Sequence, residues 1–446
     1  MIFRVRSINT FASGDYMQLS HYLKIYDYKE KPNSLILFST KRGSKVLISK
    51  DKFQAIQKNT LSSSDNSLLK DLGMLVSDKI QEKKELLNSI RKQDKTNPSL
   101  HITVALNLDC NFACPYCFEE GIKGDLYMSE TTQALLIDFI KNQFTYGKKS
   151  LFIDFYGGEP LLSVGLIKSI SKKLQPFIKE KKASYSFGLI SNGSLFKRKT
   201  AQELADIGLK QIKITIDGLA DIHNISRPFK SGAGSFDVLI NNIKQTWDLV
   251  KISLGGNYTK NNYKRFVSLL DFLKDEDLGP DKISSIKFDP IVNNPSTDTL
   301  LVPYKSGCIS INEEWLVEAD LLLREEILKH GYFTPKPAPS LCLIESDNFF
   351  LVNYDGNIYK CPAFTGKKSF AIGSLKTGIK NYTDLYKLGI WQNNKCFECE
   401  YLPLCFGGCR YMTLVRDGKI DSIDCKKDFF DASLESMIKQ DMQYRI

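Results

Sequence analysis

Three cysteines within one stretch of eight residues, CNFACPYC at 110–117, constrain this chain more tightly than anything else in its sequence. Of 11 cysteines, Cys110, Cys114 and Cys117 form one group, five more fall between 396 and 425, and the first 109 residues hold none. In a cytosolic chain of this size, thiols gathered in this way serve metals more often than disulfides. Only 4 histidines are present, none close to either group, so the ligand sets are mostly thiolate, which leaves zinc and iron–sulfur as the candidates. Three thiolates on one tight loop can hold three irons of a cubane cluster and leave the fourth without a protein ligand, as reactive chemistry requires. A structural zinc loop would want a fourth ligand nearby, and none is evident.

The rest of the composition sets wider bounds. A chain of 446 residues is too long for one ordinary domain and, at 42% hydrophobic, has apolar content enough for two or three cores. No apolar run approaches the roughly 20 residues that span a bilayer, and MIFRVRSINTFASGDYMQLS lacks the basic-then-apolar layout of a secretory signal. A cytoplasmic protein with no membrane partner is expected. The net charge of +10 is carried by scattered lysines rather than lysines gathered with aromatics, so no nucleic-acid partner is expected either.

Residues 1–95 read as a small α+β unit. Strands at NSLILFST and VLIS flank a turn at KRGSK, helical stretches follow at DKFQAIQKN and NSLLKDLGMLV, and QEKKELLNSIRKQDK forms a charged helical connector. From 96 to 304 strands alternate with amphipathic helices, the signature of parallel β/α units. Ile102, Val104, Leu106 and Leu108 alternate in a first strand, and LFIDFY, SYSFGLIS, QIKITID, KISLGGNY and SSIKFDP supply five more. Ser129 can cap a helix whose apolar face includes Leu135, Leu136, Phe139 and Ile140, and Gly208 can end another. An open sheet and a partial barrel both fit this order, and either places active groups at the C-terminal ends of strands. From 305 to 446 helix signals give way to short strands, turns and cysteines, so a separate metal-stapled domain is expected there.

The cysteine loop directly follows the first β/α strand. Its three-then-two spacing, with the aromatic Tyr116 before the last cysteine, resembles the radical S-adenosylmethionine (SAM) superfamily. Other segments match that family in order, each at a strand end. Gly157, Gly158, Glu159 and Pro160 resemble the motif whose backbone and acidic side chain receive the SAM amino group, the glycines allowing close approach. Ser191 and Asn192 look like the polar pair near the SAM ribose and carboxylate. Thr215 and Asp217, followed by His223 and Arg227, resemble the fourth-strand segment, where a hydroxyl and a guanidinium can meet the carboxylate. Asn257, after the fifth strand, is a further candidate.

The C-terminal cysteines resemble the SPASM domain, an extension of radical SAM enzymes that usually holds two auxiliary four-iron clusters. Carried over by position, Cys342, Cys361 and Cys409 would bind the first cluster, and Cys396, Cys399, Cys405 and Cys425 the second. Three [4Fe-4S] clusters, one SAM-binding and two auxiliary, then leave one iron of the first auxiliary cluster for Cys308, a substrate thiolate or water. A pair of zinc ribbons is the structural alternative.

The resemblance implies an α/β fold: a partial (β/α)6 TIM-like barrel, an N-terminal winged-helix-like α+β domain and the cysteine-rich SPASM domain. It also implies that the reduced cluster on Cys110, Cys114 and Cys117 gives one electron to SAM, and that a 5′-deoxyadenosyl radical then takes a hydrogen from the substrate. The N-terminal region is similar to the recognition element of ribosomal-peptide (RiPP) maturases, in which a leader segment adds as a strand to a sheet edge. The expectation is a peptide maturase that forms a thioether or a carbon–carbon crosslink, with a precursor peptide or protein as substrate and an electron donor such as a flavodoxin or ferredoxin. An anaerobic sulfatase-maturating enzyme is the runner-up, although Pro362 stands where those relatives typically place an acidic residue. A non-catalytic iron–sulfur carrier would leave the SAM-contacting segments without purpose.

Overall fold

The computed structural model of the chain describes residues 17–292 and 307–444. Its N-terminal part is a three-stranded antiparallel sheet of β1 (Leu23–Asp27), β2 (Ser34–Ser39) and β3 (Lys45–Ser49), with β2 central. Alternation gives β2 two apolar faces. Leu37 meets Ile48, Ile56 and Leu69, in the core shared with α1 (Lys50–Gln57) and α2 (Ser63–Asp71). Ile36 and Phe38 meet Tyr401, Leu404, Leu434 and Ile438 from the far end of the chain. β1 adds to the sequence expectation: in LKIYD only Leu23 is buried, so its apolar signal is weak. The expected helix NSLLKDLGMLV stops at Asp71, because Gly73 adopts φ +74 and Leu75–Val76 pairs with Gln18–Leu19 instead. The charged connector is helix α3 (Lys79–Lys95).

Six strands follow: β4 (Ser99–Ala105), β5 (Ser150–Tyr156), β6 (Ser184–Ser191), β7 (Leu209–Thr215), β8 (Lys251–Tyr258) and β9 (Ile283–Pro290). They pair in that order and all in parallel. In β5, buried Leu151, Ile153 and Phe155 alternate with half-buried Phe152, Asp154 and Tyr156. Between the strands run α4 (Glu130–Gln143), α5 (Val164–Glu180), α6 (Arg198–Ala205), α7 (Ala220–Ser226), α8 (Phe236–Thr246) and α9 (Val267–Asp275). Ser129 caps α4, its hydroxyl accepting from the Thr132 N–H at 3.1 Å. The buried face of α4 is Leu136, Ile137, Phe139 and Ile140, and Leu135 is only half-buried. The result is the expected α/β partial barrel, with Leu106 and Leu108 buried in the loop beyond the first strand.

The same sheet continues past β4, where β10 (Phe349–Val352) pairs in parallel with it and β11 (Asn357–Tyr359) follows. The expectation that helix signals fade after 305 is corrected by two long helices. α10 (Glu314–Lys329) buries Leu316, Ala319, Leu323 and Ile327; beyond α11 (Arg410–Asp417), α12 (Lys427–Gln443) buries Phe429, Leu434, Met437 and Ile438. These residues recur at three- and four-residue intervals, a helical period that neighbouring cysteines do not disturb. The expected boundary at 304/305 lies outside the described residues. Among the described residues no helix is long and apolar enough to cross a membrane.

Asp441 of α12 joins the ends of the chain. It pairs with the Arg324 guanidinium of α10 and with the Lys45 ammonium of β3. The Arg324 side chain is only 7% exposed, so Asp441→Ala leaves a buried cation without its carboxylate. The expected cost is about 3–5 kcal/mol, read from the shift in denaturant-unfolding midpoint. A loss below about 1 kcal/mol, the size expected of a surface pair, would show that this contact does not fasten the helices.

Candidate active site

The chain leaving β4 crosses the top of the barrel as the cysteine loop, and hydrogen bonds fix its course. Fully buried Asn107 donates through Nδ2 to the Glu159 carbonyl at 3.1 Å and to the Ser163 hydroxyl at 2.7 Å. In return, the Gly158 and Glu159 N–H groups donate to the carbonyls of Asn107 and Asp109, at 3.1 and 2.7 Å. The approach leaves no room for a side chain. A Cβ on Gly158 would lie 2.2 Å from the Asp109 carbonyl oxygen, and one on Gly157, at φ +139, 2.4 Å from that of Asn107. On the other flank the Ala113 N–H donates to the Pro228 carbonyl and the Lys230 N–H to that of Asn111, both at 2.9 Å. The Phe112 and Phe229 rings meet edge-on at 4.9 Å.

Between these loops lies a cavity of about 360 Å³ at the C-terminal ends of the strands. It brings together Cys110, Cys114 and Cys117 with Tyr116, Gly157, Gly158, Ser191, Asn192, Thr215, Arg227 and Asn257. Glu159, Pro160 and Asp217 are outside its wall. Glu159 is 0% exposed: Oε1 accepts from the Leu161 N–H and the Ser191 hydroxyl, each at 2.9 Å, and Oε2 from the Asn192 N–H at 2.8 Å. Burial pushes its pKa up against these three donors. In this structure the motif carboxylate ties the loop after β5 to the end of β6.

Asp217 acts in a similar way behind β7 and β8. One oxygen accepts from the Asn257 N–H at 2.7 Å and the other from the Tyr116 hydroxyl. That hydroxyl accepts from Arg227 Nη1 at 2.6 Å and from Asn257 Nδ2 at 3.2 Å. Burial raises the Asp217 pKa, and the Arg227 charge opposes it. His223, 0% exposed, completes the set. Its Nδ1 accepts from the Asp217 N–H at 3.1 Å, its Nε2 lies 3.1 Å from the Ser235 hydroxyl, and that hydroxyl donates to the Arg227 carbonyl at 2.6 Å. Burial first, then the Arg227 charge, depress the imidazole pKa to about 3, so the ring is neutral at working pH. Arg227 Nε is buried with no hydrogen-bond partner among the described residues, an unspent donor on a residue that lines the cavity.

The donor set of the loop suits a cluster of irons. Cys110 and Cys114 are buried and Cys117 half-buried. Burial pushes the Cys110 thiol to about 11 and the other two in the same direction, so these groups ionise when a cation is bound beside them. The Phe112 N–H at 3.4 Å and Asn192 Nδ2 at 3.8 Å already point at Cys110 Sγ. The cavity also holds Phe118, which follows the last cysteine of the loop, and residues that no sequence motif marked: Glu119, Lys123, Tyr156, Ala363 and Tyr411. Glu119 is 3% exposed and its Oε1 has no hydrogen-bond partner among the described residues. Its position just after the loop was its one sequence signal.

The C-terminal thiols fall into two electrostatic neighbourhoods. Cys409 acts on the thiols of Cys342 and Cys361, and Cys342 on that of Cys361; Cys425 acts on Cys396 and Cys399, and Cys396 and Cys399 on Cys405. Among the described residues no three such side chains converge closely enough for a single metal ion. The Cys342 and Cys409 loops are held together by a buried ion pair, Arg410 Nη2 to Glu345 Oε1 at 2.8 Å. Gly408, at φ +73, lets the Cys409 loop approach the residue before Cys425: a Cβ there would lie 2.0 Å from the Asp424 carbonyl oxygen. Tyr411 has Cys361 and Cys409 as neighbours and also lines the Cys110 cavity, so the first group borders that cavity. Cys308 bridges to Val292 beyond β9, and burial, then Glu313 and Asp424, push its thiol up.

Comparison with known proteins agrees with this geometry. Residues 106–273 match the radical SAM superfamily. The chain is 26% identical over 306 residues to an uncharacterized protein of Methanocaldococcus jannaschii, covering 68% of this chain and 96% of that one. It is 22% identical over 376 residues to the cysteine-type anaerobic sulfatase-maturating enzyme of Clostridium novyi, covering 76% and 96%. Among solved structures, native anSMEcpe with bound AdoMet and Kp18Cys peptide superposes with a TM-score of 0.61 at 17% identity, over 77% of this chain and 99% of that one. SuiB of Streptococcus suis bound to precursor peptide SuiA gives 0.51 at 15% identity, over 92% and 99%. At such identities these structures establish the fold.

The buried His223 makes a pH prediction. Its folded pKa, about 3, lies below the unfolded value of 6.5, so the unfolded chain binds the extra proton between them. The contribution of this histidine is therefore whole above about pH 6.5 and is lost as pH falls toward 3, at up to about 1.4 kcal/mol per unit. Unfolding curves of the protein and of His223→Gln should converge across that window as pH drops. A constant gap between them would mean that the ring is not held neutral.

Proposed function

Since this chain is a radical SAM enzyme, using SAM and a four-iron cluster, we propose that it matures a ribosomally made peptide by joining a cysteine sulfur, or a carbon, to a carbon of another residue. When bound, the cluster and SAM supply a 5′-deoxyadenosyl radical that removes a hydrogen atom from the substrate. The residues of the chain then have the tasks of position and exclusion. Cys110, Cys114 and Cys117 hold the cluster; Tyr116, Gly157, Gly158, Ser191, Asn192, Thr215, Arg227 and Asn257 face SAM; Glu159, Pro160 and Asp217 hold that wall in place from behind. Cys342, Cys361 and Cys409 carry one auxiliary cluster and Cys396, Cys399, Cys405 and Cys425 another, which would bring the chain to about twelve irons.

The observation that carries this reading is the meeting of Tyr411 and Ala363 with the Cys110 loop in one cavity. Cys361 and Cys409, the neighbours of Tyr411, would hold an auxiliary cluster beside this cavity, and such a cluster would supply an acceptor for the one electron that crosslinking releases. The fourth ligand of that cluster is Cys308, a substrate thiolate or water, and the substrate thiolate gives a crosslinking cysteine a place to bind. This favours the thioether form. The N-terminal region, residues 1–95, suits recognition of a leader peptide: both faces of its sheet are covered, whereas β1 and β3 are edges able to add a strand. SuiB, solved with its precursor peptide, aligns over 92% of the chain, so the alignment must reach into this region. The likeness to the Clostridium novyi enzyme favours sulfatase maturation as a second reading. A flavodoxin or ferredoxin would supply the electrons.

The test is mass spectrometry of cysteine-containing precursor peptides encoded beside the gene, after anaerobic reaction with SAM and a reductant. A thioether shows as the loss of two hydrogens together with one fewer thiol open to alkylation. Loss of two hydrogens with the thiol count unchanged indicates the carbon–carbon version. Peptides that return unaltered, while a sulfatase peptide gains an aldehyde, would replace crosslinking with formylglycine formation.

A further inference from the structure

Tyr22 lies just ahead of β1 in the N-terminal unit, yet its ring packs with residues from the other end of the chain. It is 0% exposed and shares one apolar cluster with Trp391, Cys396, Leu402 and Phe406. Its hydroxyl has no hydrogen-bond partner among the described residues. Burial first, then the Glu82 charge, raise its pKa, so the phenol keeps a proton to donate. Buried donors are almost always satisfied, so an orphan at this depth marks where an acceptor belongs. The carboxylates near it are already engaged. Glu82 accepts from the Ser20 hydroxyl at 2.5 Å, from the His21 N–H at 2.9 Å and from the Lys41 ammonium, and Glu398 pairs with Lys83 at 2.6 Å. Cys399 also acts on the hydroxyl, which leaves sulfur as the acceptor chemistry on that side.

The N-terminal unit also fixes the turn that bears these cysteines. The Thr40 N–H donates to the Tyr22 carbonyl at 2.9 Å, and the Thr40 hydroxyl donates to the Glu400 carbonyl at 2.6 Å. Lys24 pairs with Glu400 and stands 4.6 Å over the Tyr401 ring. Within the turn the Cys399 N–H donates to the Cys396 carbonyl, and the Cys396 N–H to Asn393 Oδ1, both at 3.0 Å. Ring and thiols thus share one frame. Cys396, Cys399, Cys405 and Cys425 are a donor set that suits a four-iron cluster, whose sulfurs are acceptors. We propose that Tyr22 donates a hydrogen bond to a sulfur of the auxiliary cluster held by Cys396, Cys399, Cys405 and Cys425, which makes the N-terminal unit part of the setting of that cluster. A one-electron reduction adds negative charge to the cluster, and a donor favours the more negative state, so the bond raises the reduction potential. Tyr22 is a positioning residue that acts through the cluster and touches no substrate.

The inference rests on the auxiliary clusters proposed above and goes beyond them in assigning a residue far from the cysteine motifs. It is tested on the full chain, anaerobically reconstituted and titrated with dithionite at controlled potential, with electron paramagnetic resonance as the readout. The signal of this cluster is the one that Cys405→Ala removes. In Tyr22→Phe, at unchanged iron content, its potential should fall by about 59 mV, tenfold in the one-electron equilibrium, while the potential of the Cys110 cluster stays where it was. An unchanged potential would overturn the assignment, and so would an equal fall in every cluster. A second measurement needs no variant to fold. Wild-type protein grown with ring-deuterated tyrosine should show a deuteron coupling in the pulsed spectrum of this reduced cluster, one that Tyr22→Phe removes; a spectrum without any such coupling would overturn the assignment. A chain that loads only about four irons, all on the Cys110 loop, would overturn the auxiliary-cluster reading itself, and the assignment with it.

Discussion

The site depends on how the loop bearing Cys110, Cys114 and Cys117 is fastened to the strand ends around it. Cysteines can hold a cluster only if their spacing is set before the metal arrives or is set cheaply by it. Here the loop is bonded on both flanks: Asn107 and Asp109 to the turn at Gly157–Glu159, and Asn111 and Ala113 to Pro228 and Lys230. Those two flanks are themselves joined. Glu159 reaches the end of β6, and Asp217 reaches Tyr116 and Asn257, so five of the six barrel strands bear on one loop. The wall of the cavity and the loop of Cys110, Cys114 and Cys117 are one hydrogen-bonded object.

The C-terminal region adds a second level to this frame. Its strand β10 extends the barrel sheet beside β4, the strand that leads into the cysteine loop. Its Cys361 and Cys409 border the cavity through Tyr411, and its last helix closes back on the N-terminal sheet, Asp441 to Lys45 and Leu434 and Ile438 against Phe38.

Much of this was legible in the sequence where a short period repeats. In SYSFGLIS and KISLGGNY apolar residues recur at every second position over Tyr185, Phe187 and Leu189 and over Ile252 and Leu254, and both segments are strands in the structure. The thiol groups were legible because clustered cysteines have few other uses. Helices α10 and α12 were not expected, since the cysteines nearby suggested irregular chain although the apolar residues keep a helical period. Residue roles were the least legible. A motif names residue types at positions, whereas the direction in which Glu159 turns depends on three donors from other segments, and the openness of Glu119 depends on the fold of a loop with no fixed pattern.

The central claim is that the loop at 110–117 carries the radical chemistry. Its most direct test is to add SAM and dithionite to the anaerobically reconstituted protein and to Cys110→Ala, and to follow 5′-deoxyadenosine. The account predicts deoxyadenosine from the first and none from the second, with the C-terminal iron retained in both. Equal yields from the two proteins, or none from a wild-type protein carrying its full iron, would contradict it.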